Sequence, residues 1–74
     1  MTTLSTNLRY LRSRKKLSQQ KFAESIGKQI KQYAKWEEAR AEPSITDIVS
    51  IARTHEITID KLLTTDLNKL ANKV

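Results

Sequence analysis

The run Gln29-Ile30-Lys31-Gln32, followed by Lys35, carries three kinds of side chain that can read the edge of a nucleobase. A lysine ammonium donates to guanine O6 and N7, a glutamine amide pairs with adenine N6 and N7, and an isoleucine can touch a thymine methyl. Such chemistry requires the side chains to be presented together on one outward face. At helical spacing Tyr33 and Trp36 fall on the inner side, leaving Gln29, Lys31, Gln32 and Lys35 outward, with Gln32 and Lys35 sharing a face. An ordinary solvated surface can carry the same residues, so the surrounding pattern must decide.

Other chemistries lack their parts. Without cysteine the chain has no disulfide framework, thiol nucleophile or cysteine metal site. His55 is the single histidine, so a zinc site would have to lean on carboxylates alone. There is no glycine-rich phosphate loop, no nucleophile with a nearby base and no paired carboxylates in a plausible cleft. The expectation is a non-enzyme with no cofactor, metal or small-molecule substrate. Tyr33 and Trp36 read as core anchors rather than base-stacking platforms, and His55 as a packed, hydrogen-bonded core histidine rather than a pH sensor.

Charge is lopsided along the 74 residues. From Arg9 to Arg40 ten basic residues meet three acidic ones, a local excess of +7, whereas from Ala41 onward four meet five, giving −1. A one-sided basic field suits a phosphate-bearing partner, because each neutralised phosphate releases condensed counterions. The N-terminal residues have neither a basic start nor a long apolar run, and no stretch approaches the ~20 apolar residues of a membrane span. A cytoplasmic location with no membrane partner is therefore expected.

One glycine and one proline leave few breakers, and apolar residues recur at helical spacing. The first helix is expected over about Ser5–Lys15, capped by Ser5 or Thr6, with Leu4, Leu8 and Leu11 on one face. Ser18 caps a second helix that buries Phe22, Ala23 and Ile26 and stops at Gly27, where a left-handed residue is needed. A third follows over about Gln29–Glu37. After Pro43, Ser44 caps a fourth, about Ile45–His55, with Ile45, Ile48, Val49, Ala52 and His55 on one stripe and Asp47 offsetting the helix dipole. Thr58 caps a short fifth, Ile59–Leu63. Leu67, Leu70, Ala71 and Val74 can line a sixth, which as a short terminal segment is expected to fray. The expected organisation is one domain over residues 1–64 with a tail or short helix over 65–74.

Two helices joined by a short glycine-containing turn form a unit whose second helix can enter the major groove. In that frame the segment Leu8–Leu63 resembles the phage Cro/repressor (XRE) helix-turn-helix family. The resemblance is carried in order by Leu8-x-x-Leu11-Arg12, Leu17-Ser18-Gln19-Gln20-Lys21-Phe22-Ala23, Ile26-Gly27 and Tyr33-x-x-Trp36-Glu37. It continues through Pro43-Ser44, Ile48-x-x-Ile51-Ala52 and Ile57-Thr58-Ile59-Asp60-Lys61-Leu62. It implies an all-α, compact five-helix, lambda-repressor-like fold. It also implies that Gln29, Ile30, Lys31, Gln32 and Lys35 face bases or adjacent phosphates. Gln19, Lys28 and Arg40 take phosphate-contacting positions, and Arg12 and Glu37 form a partly buried ion pair.

The chain departs from that family where Lys16 and Ala39 stand in place of preferred glycines. The third helix is expected to extend partly through Glu38-Ala39-Arg40, which unsettles the placement of Arg40. On that basis Ala39→Gly should leave DNA affinity nearly unchanged and shift stability by no more than ~1 kcal/mol. Lys28 and Gln29 also replace the usual Ser or Thr at the start of the third helix.

The function implied is a regulator, expected to repress, that binds a palindromic double-stranded operator as a homodimer with half-sites about one helical turn apart. The fifth helix and the Leu67/Leu70/Val74 stripe are the candidate dimer contacts. The competing expectation is a protein-interaction module, such as an antitoxin or anti-repressor, built on the same helices.

Overall fold

Hydroxyl side chains set where four of the helices begin. Thr2, Ser18, Ser44 and Thr58 each accept a hydrogen bond from the backbone N–H three residues on, satisfying a donor that the helix itself leaves open. The computed structural model describes residues 2–71, which form α1 (Thr3–Arg14), α2 (Gln19–Ser25), α3 (Ile30–Glu37), α4 (Ile45–Thr54), α5 (Ile59–Thr64) and α6 (Leu67–Ala71). The described residues contain no strand.

The first helix starts earlier than the sequence suggested. Thr2 Oγ1 accepts the Ser5 N–H at 3.0 Å and Ser5 Oγ accepts the Thr2 N–H at 2.9 Å, a reciprocal capping box. Ser5 is therefore inside the first turn, and buried, because Thr2 caps the turn ahead of it.

Four helices end in one way. Lys16, Gly27, Ala39 and Glu56 take left-handed φ values of 56°, 71°, 60° and 54°. Each donates back to the carbonyl three residues earlier, and the next residue donates to the carbonyl five earlier, as in Leu17 N–H to Arg12 O at 3.1 Å and Arg40 N–H to Lys35 O at 2.9 Å. Only one of the four is glycine. The expected extension of α3 is thus corrected: the helix closes at Glu37, since the closing bonds outweigh the ~1–2 kcal/mol that a left-handed residue with a Cβ costs.

α1 runs through the middle of the fold, packing on α3, α5 and α6. Its Leu8 and Leu11 join Phe22, Tyr33, Ile51 and Leu62 in the core. Leu67 of α6 is buried in the same cluster, so the described part of the tail is fastened to the domain. Val74 of the expected stripe lies outside the described residues, and Leu70 is exposed.

On α4 the buried stripe is centred differently from the expectation. Ile51, Ala52 and His55 are buried, with Ile48 and Val49 half-buried, but Ile45 is 82% exposed. Ile45 follows the cap directly, and the side chain turned inward in that first turn is Asp47, which meets Lys28.

Candidate nucleic-acid interface

Phe22 of α2 and Tyr33 of α3 stack with ring centroids 4.8 Å apart, and Tyr33 meets Trp36 edge-on at 6.2 Å. With Ala23 and Ile26 also buried, these contacts lock α3 against α2 by its inner face. Behind Phe22, the His55 ring lies parallel at 4.3 Å. The stack therefore runs from α4's end through α2 to α3.

With the aromatic side fixed inward, Gln29, Ile30, Lys31, Gln32 and Lys35 are all exposed on the other side of α3. Their side chains form no hydrogen bond or ion pair among the described residues. Gln29 is the N-cap of α3 rather than its first residue, and its side chain caps nothing. The first turn of α3 therefore keeps open donors.

The carboxylate of Glu37, 1% exposed, organises the rear of this unit. Arg12 Nε donates to Oε2 at 2.7 Å and Arg12 Nη2 to Oε1 at 3.1 Å, a two-pronged pair. Gln19 Nε2 donates to Oε1 at 3.1 Å, and the Tyr33 hydroxyl donates to Oε2. Arg12 Nη1 also reaches the carbonyl of Leu17 at 3.2 Å, next to the Ser18 cap. One carboxylate thus joins α1, the start of α2 and the whole of α3. Burial alone would push Glu37 upward, but the bonds from Arg12, Tyr33 and Gln19 outweigh it and hold the carboxyl below its ordinary range. Arg12 is raised by the same bond, and the Tyr33 phenol is raised by burial and then by Glu37.

The three residues expected at phosphates differ in their freedom. Gln19 is half-buried, and its Nε2 donates to Glu37, which uses one of the two amide N–H groups. Arg40 is exposed, with Nη1 3.0 Å from Glu38 Oε2. Lys28 is held by Asp47, Nζ to Oδ1 at 2.8 Å.

Two relationships were missed by sequence reasoning. Asn7 is wholly buried and tied to α5 and to the start of α6; it sat unnoticed at the helix start because Asn more often caps than fills a core. Asp47 was read as a dipole-offsetting acid, whereas its carboxylate also pairs with Lys28. The two residues are 19 positions apart, and no helical periodicity connects them. His55 is buried as expected, with Nε2 3.4 Å from Ser25 Oγ and Nδ1 without a partner.

No helix among the described residues is long and apolar enough to cross a membrane. Comparison with curated proteins and with solved structures yields no match. The helix-turn-helix family, in contrast, matches over residues 8–62, which span α2, the turn, α3 and the helices that brace them. This chain belongs to the Cro/repressor-type (XRE) helix-turn-helix family of DNA-binding transcription regulators.

Proposed function

We propose that the protein is a sequence-specific regulator, acting as a repressor, that lays α3 in the major groove of double-stranded DNA. The observation that carries this reading is the division of α3. Tyr33, Trp36 and Glu37 are buried and cross-bonded, while Gln29, Ile30, Lys31, Gln32 and Lys35 are exposed. In this reading those five residues contact base edges or flanking phosphates, and Arg40 and Gln19 set the register on the sugar-phosphate chain. Lys28, paired with Asp47, is not among them. The protein works where its DNA is, in the cytoplasm.

A palindromic operator read by a homodimer follows from the small reach of one α3, which covers one half-site. α5 is the candidate for the contact between copies, since Ile59 and Leu63 are exposed one helical turn apart on it.

Selection of bound duplexes from a random pool, followed by salt titration on the selected site, tests the proposal. A two-fold symmetric site is expected, with a steep fall of log affinity against log salt, and specific binding is lost in the Lys31→Ala/Lys35→Ala double variant. Binding that ignores sequence and survives both substitutions would identify a protein-interaction module instead.

A further inference from the structure

Lys28 opens on the same surface groove as Gln29, Ile30 and Lys31, yet its ammonium is already engaged. Its partner Asp47 is itself tethered at the start of α4. Asp47 Oδ2 accepts the Ser44 N–H at 3.3 Å, and Ser44 Oγ accepts the Asp47 N–H at 3.2 Å. Their side chains are 29% and 10% exposed, so the pair is partly withdrawn from water. The bond from Lys28 is the foremost cause that holds the Asp47 carboxyl below its ordinary range.

The position of the pair matters as much as its strength. Lys28 is the third of the four residues between α2 and α3, its own N–H closing α2 on the Ala23 carbonyl at 2.8 Å. The next residue, Gln29, gives α3 no side-chain cap. Among the described residues, the Lys28–Asp47 bond is the one ion pair that fastens this turn to the rest of the fold. A lysine free beside DNA would add affinity for any sequence, because a phosphate contact carries no base information. A lysine neutralised by a carboxylate adds none, and a phosphate that captured it would strand Asp47 beside a polyanion.

We propose that Asp47 is a positioning residue for DNA reading, which withholds Lys28 from the phosphates and uses it as a strut between α4 and the turn. The strut presents α3 to the groove in one pose and leaves discrimination to the base-facing side chains. This inference rests on α3 being the DNA probe.

The test uses the full chain with Lys28→Gln, Asp47→Asn, Asp47→Glu and the Lys28→Gln/Asp47→Asn pair. Asp47→Asn keeps an oxygen for the Ser44 N–H and removes only the charge. Lys28→Gln alone should leave the salt slope of DNA binding unchanged. Asp47→Asn should steepen that slope by ~0.9, the signature of one added phosphate contact. It should also tighten binding to random duplex more than to the selected site, narrowing the specificity ratio by roughly tenfold. The added slope should vanish in the double variant, and Asp47→Glu should restore wild-type behaviour. A wild-type slope that drops by ~0.9 on Lys28→Gln would overturn the proposal, because Lys28 would then already be on a phosphate. So would a slope indifferent to Asp47→Asn.

Amide hydrogen exchange without DNA judges the strut independently. The Lys28 and Tyr33 amides, bonded to the Ala23 and Gln29 carbonyls, should exchange about tenfold faster in both Asp47→Asn and Lys28→Gln, and unchanged exchange would remove the strut. A wild-type protein that selects no duplex would defeat the reading of α3, and the withholding role with it, while the exchange data still decide whether the pair fixes the turn.

Discussion

Arg12 and Glu37, 25 residues apart, meet fork to fork, with Nε 2.7 Å from Oε2 and Nη2 3.1 Å from Oε1. Glu37 is sealed from water, whereas Arg12 is about a quarter exposed. The carboxylate therefore depends on its partner more than the guanidinium does. Arg12→Met leaves the buried carboxylate with only the Arg9 guanidinium, Nε 3.9 Å away, as counter-charge and should lower unfolding free energy by about 3 kcal/mol, read from the urea midpoint. Arg12→Met with Glu37→Gln should recover most of that loss, because no charge is then left unpaired and the new amide carbonyl still accepts from the Tyr33 hydroxyl. If the double variant is as unstable as the single one, the lost energy is packing and not an orphaned carboxylate.

The three left-handed residues that carry a Cβ give a prediction in the stabilising direction. Ala39→Gly at φ 60° relieves strain in the folded chain but frees the unfolded one. The net expectation is a gain of about 0.5 to 1 kcal/mol by thermal melting, with DNA affinity unchanged. Gly27→Ala is the mirror experiment. A Cβ there would meet no atom within 4 Å, so its expected cost of about 1 kcal/mol is purely backbone.

How much of this was legible beforehand depends on the range of each interaction. Caps at Ser18, Ser44 and Thr58, the stop at Gly27 and the inward Tyr33/Trp36 pair are local, and each follows from residues within one or two turns. The outward face of α3 followed from them. The end of α3 was misjudged because Glu38, Ala39 and Arg40 all favour helix. The bonds that close it, from the Ala39 and Arg40 N–H groups, win against propensity. The exposure of Ile45, the burial of Asn7 and the Lys28–Asp47 pair depend on where one helix lies against another. Periodicity within a single helix carries no information about that.

His55 sets an acid limit on the stack that backs α3. Burial, and then the nearby charge of Lys15, push its pKa below the ordinary 6.5. Ser25 Oγ donates its proton to the Phe22 carbonyl at 2.6 Å, which leaves the hydroxyl to accept from His55 Nε2 and Nδ1 unprotonated. The unfolded chain takes up a proton near pH 6.5 and the folded chain only at lower pH, so His55 destabilises the fold progressively as pH falls below 6.5. The melting temperature should decline as pH falls below 6.5, and His55→Phe, which keeps a ring against Phe22, should flatten that decline. Glu37 and Asp47 act in a lower window. Both are held below their ordinary values of 4.5 and 3.8, so their support is present above those values and lost as pH falls through the depressed ones. A decline just below pH 6.5 that persists in His55→Phe would assign it to another group.

Asn7 makes the most specific prediction about the fold. Its Nδ2 donates to the carbonyls of Leu62 and Thr65, both at 2.8 Å, while Oδ1 accepts the Leu67 N–H at 3.1 Å. One side chain thus satisfies the end of α5 and the start of α6 from the centre of α1. Asn7→Ala leaves two carbonyls and an N–H without their partner, the Leu62 carbonyl and the Leu67 N–H in buried positions, and should cost about 3 kcal/mol. Asn7→Asp is the sharper variant. A carboxylate still accepts from Leu67 but turns an oxygen toward two carbonyl oxygens, so at neutral pH it should destabilise more than alanine does. Mild acid should recover part of the loss, because a protonated carboxyl regains one donor. The Leu67 amide should exchange faster in Asn7→Ala and stay protected in any molecules of Asn7→Asp that remain folded. If Asn7→Asp is as stable as the parent at neutral pH, the amide nitrogen does not face the carbonyls, and the tie between α1, α5 and α6 must be made by packing alone.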